Sequence, residues 1–123
     1  MTDPMIPPVP VLEVYFAPTC APCRLELPVL AEAAKDGLPV TVVLLTDQAR
    51  ARRELAAASP GLAAKAVPAP PGADPRTTLR DAGDPDGILP FSRVRGAEGT
   101  CPSWRGILTL DRIRTLLAGC SRG

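Results

Sequence analysis

Histidine is missing from all 123 residues, and that absence removes more chemistry than any other feature of the composition. Without imidazole there is no Ser-His or Cys-His nucleophile pair, no His-ligated zinc and no His-ligated haem. Proton handling falls to carboxylates, thiols or water. An excess of either charge is missing too, since 14 Lys and Arg against 13 Asp and Glu leave a net charge of +1. That balance lacks the basic footprint of nucleic-acid or anionic-membrane binding. No apolar run reaches the roughly 18 residues of a membrane-spanning helix. The first eight residues, Met1-Thr2-Asp3-Pro4-Met5-Ile6-Pro7-Pro8, show no basic segment followed by an apolar one. The expectation is a soluble chain without an export signal: either a cytosolic protein or a mature one whose leader has been removed.

Cysteine is scarce as well. Four in a chain of this length do not make a small disulfide-stapled scaffold. Stability must come from a core, and the 46% hydrophobic content suffices for one domain of about 100–200 residues. Residues 1–10 carry Pro4, Pro7, Pro8 and Pro10 and are expected to form a proline-rich, flexible arm, leaving residues 11–120 for the domain.

Within it, Val11-Leu12-Glu13-Val14-Tyr15-Phe16-Ala17 has the composition of a buried strand ending at Pro18. Helix is expected from about Ala21 to Lys35, with Leu25 and Val29 on one stripe and Leu27, Leu30 and Ala34 on another. Pro28 should kink it and Gly37 close it. Pro39-Val40-Thr41-Val42-Val43-Leu44-Leu45 is almost continuously apolar, as in a parallel strand covered on both faces. Asp47 is placed to cap a helix with Ala51, Leu55, Ala58 and Leu62 inward, and Ser59-Pro60-Gly61 to interrupt or end it.

Residues 67–72 read as extended at best. Asp74-Pro75 opens a short helix to Gly83, and Gly83-Asp84-Pro85-Asp86-Gly87 is a turn cluster. Residues 88–94 and 100–105, joined by a turn over 95–99, predict an antiparallel hairpin whose second strand Pro102 confines to a sheet edge. Thr109 then caps a last helix that buries Leu110, Ile113 and Leu117 and ends at Gly119. The predicted order is βαβα-α-ββα, an α/β fold with a central mixed sheet flanked by helices.

Cys20-Ala21-Pro22-Cys23 falls where the first strand turns into the first helix. A helix start offers unpaired N–H groups and a positive dipole end, which lower a thiol's pKa from about 8.5 toward about 3.5–7.5. Cys20 is therefore expected to attack, and Cys23, one turn deeper, to resolve the mixed disulfide. Pro22 fixes φ and starts the helix. Zinc would want a second closely spaced pair, but Cys101 and Cys120 stand apart and no histidine completes a ligand set, so no metal is expected. Three readings stand open for Cys101 and Cys120: a structural bridge between the edge strand and the last helix, two free thiols, or a second redox relay. Trp104 reads as packing, and Arg112 and Arg114 as the solvated face of the last helix.

The segment Phe16-Ala17-Pro18-Thr19-Cys20-Ala21-Pro22-Cys23-Arg24-Leu25-Glu26-Leu27-Pro28 resembles the active-site segment of the thioredoxin superfamily, in particular its TlpA/ResA-like branch. There the second cysteine is followed by two residues, a glutamate, one residue and a proline, here Glu26 and Pro28. Residues 88–117 resemble the closing hairpin and helix of the same branch. The resemblance covers residues 11–118 and is weak over 60–87.

It implies a thioredoxin-like three-layer fold and a protein disulfide reductase with no cofactor beyond its cysteine pair, served by an upstream thiol reductant and acting on cysteine-containing proteins. Such reductases commonly work in the bacterial envelope, in cytochrome c maturation or related assembly, which implies a periplasmic location with a cytoplasmic one as the alternative. It further implies that Pro90 is a cis-proline beside the disulfide and that the Leu89 backbone is free to pair with extended substrate. Glu26 would exchange a proton with Cys23; the alternative is a solvated surface glutamate paired with an arginine. Phe16 stands where many relatives have tryptophan. Val14 lies near thioredoxin's own strand acid, with Glu13 facing elsewhere, which favours the TlpA/ResA-like branch over thioredoxin proper. That branch often has an insertion after its second strand, and over 60–87 no substrate contact is carried across. A disulfide oxidant or isomerase, and a non-catalytic binding module using the surface at Leu89 and Pro90, are the competing functions.

Overall fold

The computed structural model describes residues 9–70, 72–96 and 99–120. The expected arm over 1–10 lies outside these apart from Val9 and Pro10, as does part of the turn over 95–99. Strand β1 (Val11–Phe16) is the centre of a five-stranded sheet. Its alternation explains that place. Leu12, Val14 and Phe16 point into the larger core, and Tyr15 points into the smaller one behind the sheet. Strand β2 (Val40–Leu44) lies parallel to β1 on one side, with Val14 opposite Val42. Strand β4 (Phe91–Arg95) lies antiparallel on the other, with Tyr15 opposite Phe91. Two short strands finish the edges, β3 (Val67–Pro68) beside β2 and β5 (Ser103–Arg105) beside β4, in the order β3-β2-β1-β4-β5.

Helices cover both faces. The larger core receives Cys23 from α1 (Ala21–Leu25), Leu30 and Ala33 from α2 (Leu27–Lys35), Ala51 and Leu55 from α3 (Gln48–Ala58), and Leu62 and Ala63 from α4 (Pro60–Lys65). Ile113 and Leu116 of α6 (Leu110–Leu117) complete it. On the other face α5 (Pro75–Asp81) lays Leu79 against Tyr15, Val43 and Phe91. The result is the expected three-layer α/β arrangement.

Several local expectations are corrected. The first helix is two helices that meet at Glu26, because Pro28 lacks an N–H and its ring crowds the carbonyl four residues back. Leu25 is 67% exposed, while Val29 of the same expected stripe is half-buried. The buried stripe is Cys23, Glu26, Leu30 and Ala33, at helical spacing with one acid among its members. Ser59 interrupts rather than ends the next helix, its hydroxyl accepting from Leu62 N–H at 3.3 Å. Asp47 does precede α3, but in the left-handed region (φ 43°) and without a side-chain cap. Strand β3 is an unforeseen element: Ala69 N–H donates to Leu44 O at 2.9 Å and extends the sheet through a stretch whose prolines resemble a loop. In α6 Leu116 joins Ile113 in full burial, with Leu110 and Leu117 partly buried against the same core.

Candidate active site

Phe16 ends β1 with 1% of its surface exposed and anchors the chain before it turns. Cys20 N–H donates to Ala17 O at 3.0 Å, and Cys20 then becomes the N-cap of α1. Pro22 occupies the helix's first turn, where its missing N–H costs nothing. Cys20 and Cys23 are joined in a disulfide with Cα atoms 5.2 Å apart. The two sulfurs differ in surroundings. Cys20 is half-buried, and its Sγ accepts the Cys23 backbone N–H at 3.2 Å, a contact that favours negative charge on sulfur. Cys23 is 1% exposed, with its Sγ 4.0 Å from Tyr15 O.

Glu26 is fully buried one turn beyond Cys23, its N–H donating to Cys23 O at 3.2 Å. It is not the solvated, arginine-paired glutamate that the sequence left open. Burial pushes its carboxyl up to about 7, against the opposing effect of the Leu108 N–H, which donates to Oε1 at 2.9 Å. A carboxyl poised there can hold or release a proton near neutral pH.

Leu89 and Pro90, joined by a cis peptide bond, lead directly into β4. Phe91 lies opposite Tyr15, whose carbonyl faces Cys23 Sγ, so Pro90 and the dithiol share one end of the sheet. Leu89 is half-buried against both cores, while Ile88 beside it is 57% exposed.

Solved structures resemble this arrangement. A thioredoxin-related protein from Neisseria meningitidis serogroup B superposes with a TM-score of 0.67 at 18% identity, over 92% of this chain and 85% of that one. The fold is thioredoxin-like. A secreted Mycobacterium tuberculosis disulfide oxidoreductase homologous to E. coli DsbE gives a TM-score of 0.66 at 16% identity, covering 89% of this chain and 81% of that one. A thio-disulfide isomerase from Thermus thermophilus gives 0.52 at 21% identity, over 91% and 80%. No protein-family model matches the sequence, and no curated protein does.

Within the thioredoxin-like frame, sequence reasoning missed the supports of the site. Asp84 is completely buried and accepts from Asp86 N–H at 3.3 Å and Ile88 N–H at 3.0 Å, holding the turn that delivers Leu89 and Pro90. Arg105 of β5 pairs with Asp86 and places its Nε 3.8 Å from Asp84. The Gly-Asp-Pro-Asp-Gly pattern carried the signal, since aspartate in such turns bonds backbone N–H groups two residues on. Gly106 N–H donates to Pro90 O at 3.1 Å, and its φ of 119° is one that a side chain would strain.

The remaining candidates lie elsewhere. Cys101 and Cys120 form a second disulfide, between the lead-in to β5 and the end of α6. Glu13 points away from the dithiol and accepts from Arg93 Nε at 2.9 Å, from Arg95 at 3.3 Å and from Tyr15 OH at 3.3 Å. Burial, then the Glu13 charge, pushes the Tyr15 hydroxyl up to about 12. Arg112 and Arg114 are not simply solvated: one lies over the Trp104 ring, the other pairs with Asp36 at 3.1 Å. Among the described residues, no three His, Cys, Asp or Glu side chains cluster to hold a metal ion, and no helix is long and apolar enough to cross a membrane.

Proposed function

We propose that this protein is a thiol-disulfide oxidoreductase that reduces disulfides in other proteins. The observation carrying the reading is the asymmetric pair: a half-buried Cys20 sulfur that receives a backbone N–H, bonded to a Cys23 sealed beneath it. In the reduced protein the Cys20 thiolate attacks a client disulfide, forming a mixed disulfide and expelling one client sulfur as thiolate. The buried Cys23 thiol passes its proton to the Glu26 carboxylate and attacks Cys20 Sγ. The Cys20–Cys23 bond forms, the bond to the client breaks, and the second client sulfur leaves and is protonated. Two electrons have moved to the client, and a dithiol donor restores the pair. The cysteine pair is the only redox group this scheme needs.

Leu89 and Pro90 hold the client's backbone beside the pair, and residues 11–120 act as one folding unit. The Cys101–Cys120 bridge supports work in an oxidising compartment, because such bonds persist outside the cytosol. The resemblance to a secreted oxidoreductase points the same way, and the clients in this reading are cysteine-containing envelope proteins such as c-type cytochromes. Equilibration with glutathione buffers tests the direction of electron flow. A reductase requires a potential well below the roughly −120 mV of a strong oxidant; a value near that figure would reassign the protein as an oxidant.

A further inference from the structure

The Leu108 N–H that reaches Glu26 belongs to an irregular stretch between β5 and α6, and such an amide needs something to aim it. Ile107 does little by packing, since it is 48% exposed. Its carbonyl, however, accepts from Trp104 Nε1 at 3.3 Å. The Ile107 carbonyl and the Leu108 N–H are the two ends of one peptide group, which is planar and stiff. Indole, peptide and carboxylate therefore form one line of hydrogen bonds, in which donation at the carbonyl end polarises the N–H at the other. The indole is itself held: the Arg112 guanidinium lies 4.0 Å from its ring centroid, over the π-face.

We infer that Trp104 is a positioning residue for Glu26: through the Ile107–Leu108 peptide it aims and strengthens the one N–H that favours the carboxylate, and so sets the pH at which Glu26 can accept a proton. This rests on the proposed proton exchange between Glu26 and Cys23. Other charged groups around Glu26 are directed elsewhere. Arg24 faces Glu54, Arg105 faces Asp84 and Asp86, Arg114 faces Asp36, and Glu13 with Arg93 and Arg95 lies on the opposite face of the sheet. Glu32, Lys35 and Asp111 are exposed, and Cys23 on the same stripe is held in the disulfide and has no proton to exchange in the oxidised chain. Burial raises the Glu26 carboxyl and the Leu108 N–H lowers it, so a loosened peptide must raise it further.

Two measurements on the oxidised full chain test this. Trp104 is the only tryptophan, so its emission reads its own environment. That emission should titrate with the midpoint of the Glu26 carboxyl followed by carbon NMR, and Glu26→Gln should abolish the change. Trp104→Phe keeps a ring but removes the indole N–H, and should raise the Glu26 midpoint by about half a pH unit. Arg112→Gln, a surface change, should raise it less and serves if Trp104→Phe does not fold. Emission that stays flat across the Glu26 titration, or a midpoint unmoved in the variants that fold, overturns the inference. If Glu26→Gln leaves the pH dependence of disulfide exchange unaltered while Trp104→Phe still moves the midpoint, the role of Glu26 in exchange fails and the positioning by Trp104 stands.

Discussion

The Cys20–Cys23 bridge spans three positions at a helix start, whereas Cys101–Cys120 ties together two segments 19 positions apart. A three-residue ring removes little freedom from the unfolded chain, so opening it sacrifices little stability. The longer ring removes more, and its removal should be felt by the whole fold. Their neighbours differ in the same sense. A backbone N–H reaches one sulfur of the short bridge, and an acid with a near-neutral pKa lies a turn from the other. The long bridge sits close to the Gly96 backbone: a Cβ there would lie 3.2 Å from Cys101 Sγ and 3.7 Å from Cys120 Sγ. In the proposed function the first bond is the one exchanged and the second the one kept.

The comparison breaks if the roles overlap. The largest effect should come from Cys20→Ser, with a loss of at least about 1,000-fold in turnover of a model protein disulfide, since a hydroxyl cannot replace the thiolate. Replacing Cys101 and Cys120 together by serine should leave exchange by the folded protein near its original rate. It should also lower unfolding stability by about 3 kcal/mol in denaturant titration; a collapse of turnover with intact folding would make that pair a relay.

Glu26→Gln sharpens the contrast through pH. The folded carboxyl sits at about 7 against an ordinary 4.5, so the folded state binds the proton more tightly. Its contribution to stability is fully present below pH 4.5 and is lost as pH rises through about 7. The glutamine variant should therefore be the more stable protein at pH 8, by about 2 kcal/mol, an advantage that shrinks toward pH 4 in paired denaturant titrations. Asp84→Ala removes the acceptor of two loop N–H groups and should cost about 1–2 kcal/mol, raising KM for a protein disulfide without touching the long bridge. Smallest is Thr109→Ala. It deletes the cap accepting from Arg112 N–H at 3.1 Å on the helix that precedes Cys120, and should cost about 1 kcal/mol in thermal or denaturant unfolding.

The dithiol was legible because its signals are local: an apolar strand, Cys20 and Cys23 at the turn, Pro22 at the helix start. The order of strands and helices was legible from periodicity, and the three layers from the resemblance. Glu26 could be matched by resemblance, but its burial depends on Leu108, 82 positions away. The Asp84 brace and the Trp104 peptide are likewise long-range arrangements assembled from ordinary turn and surface residue types. Strand β3 escaped because it is two residues long and half proline, so pairing with β2, not composition, makes it a strand. Leu25 was misread because a periodic stripe is taken from apolar positions, and the buried Glu26 and the helix restart at Leu27 shift its phase.

Proline stands at both margins of the sheet, Pro68 within β3 and Pro102 just before β5. Because Ala69 N–H reaches Leu44 O, Pro68 turns its ring nitrogen outward and removes one amide from the β3 margin where another chain would otherwise dock by strand addition, whereas Pro102 turns its carbonyl to Val94 N–H and its ring nitrogen toward β4. For a protein proposed to act on the extended backbone of other proteins, that matters. Such a client is held at the sulfur and beside Leu89 and Pro90, and it departs when the bond to Cys20 is broken instead of remaining as an added strand on β3.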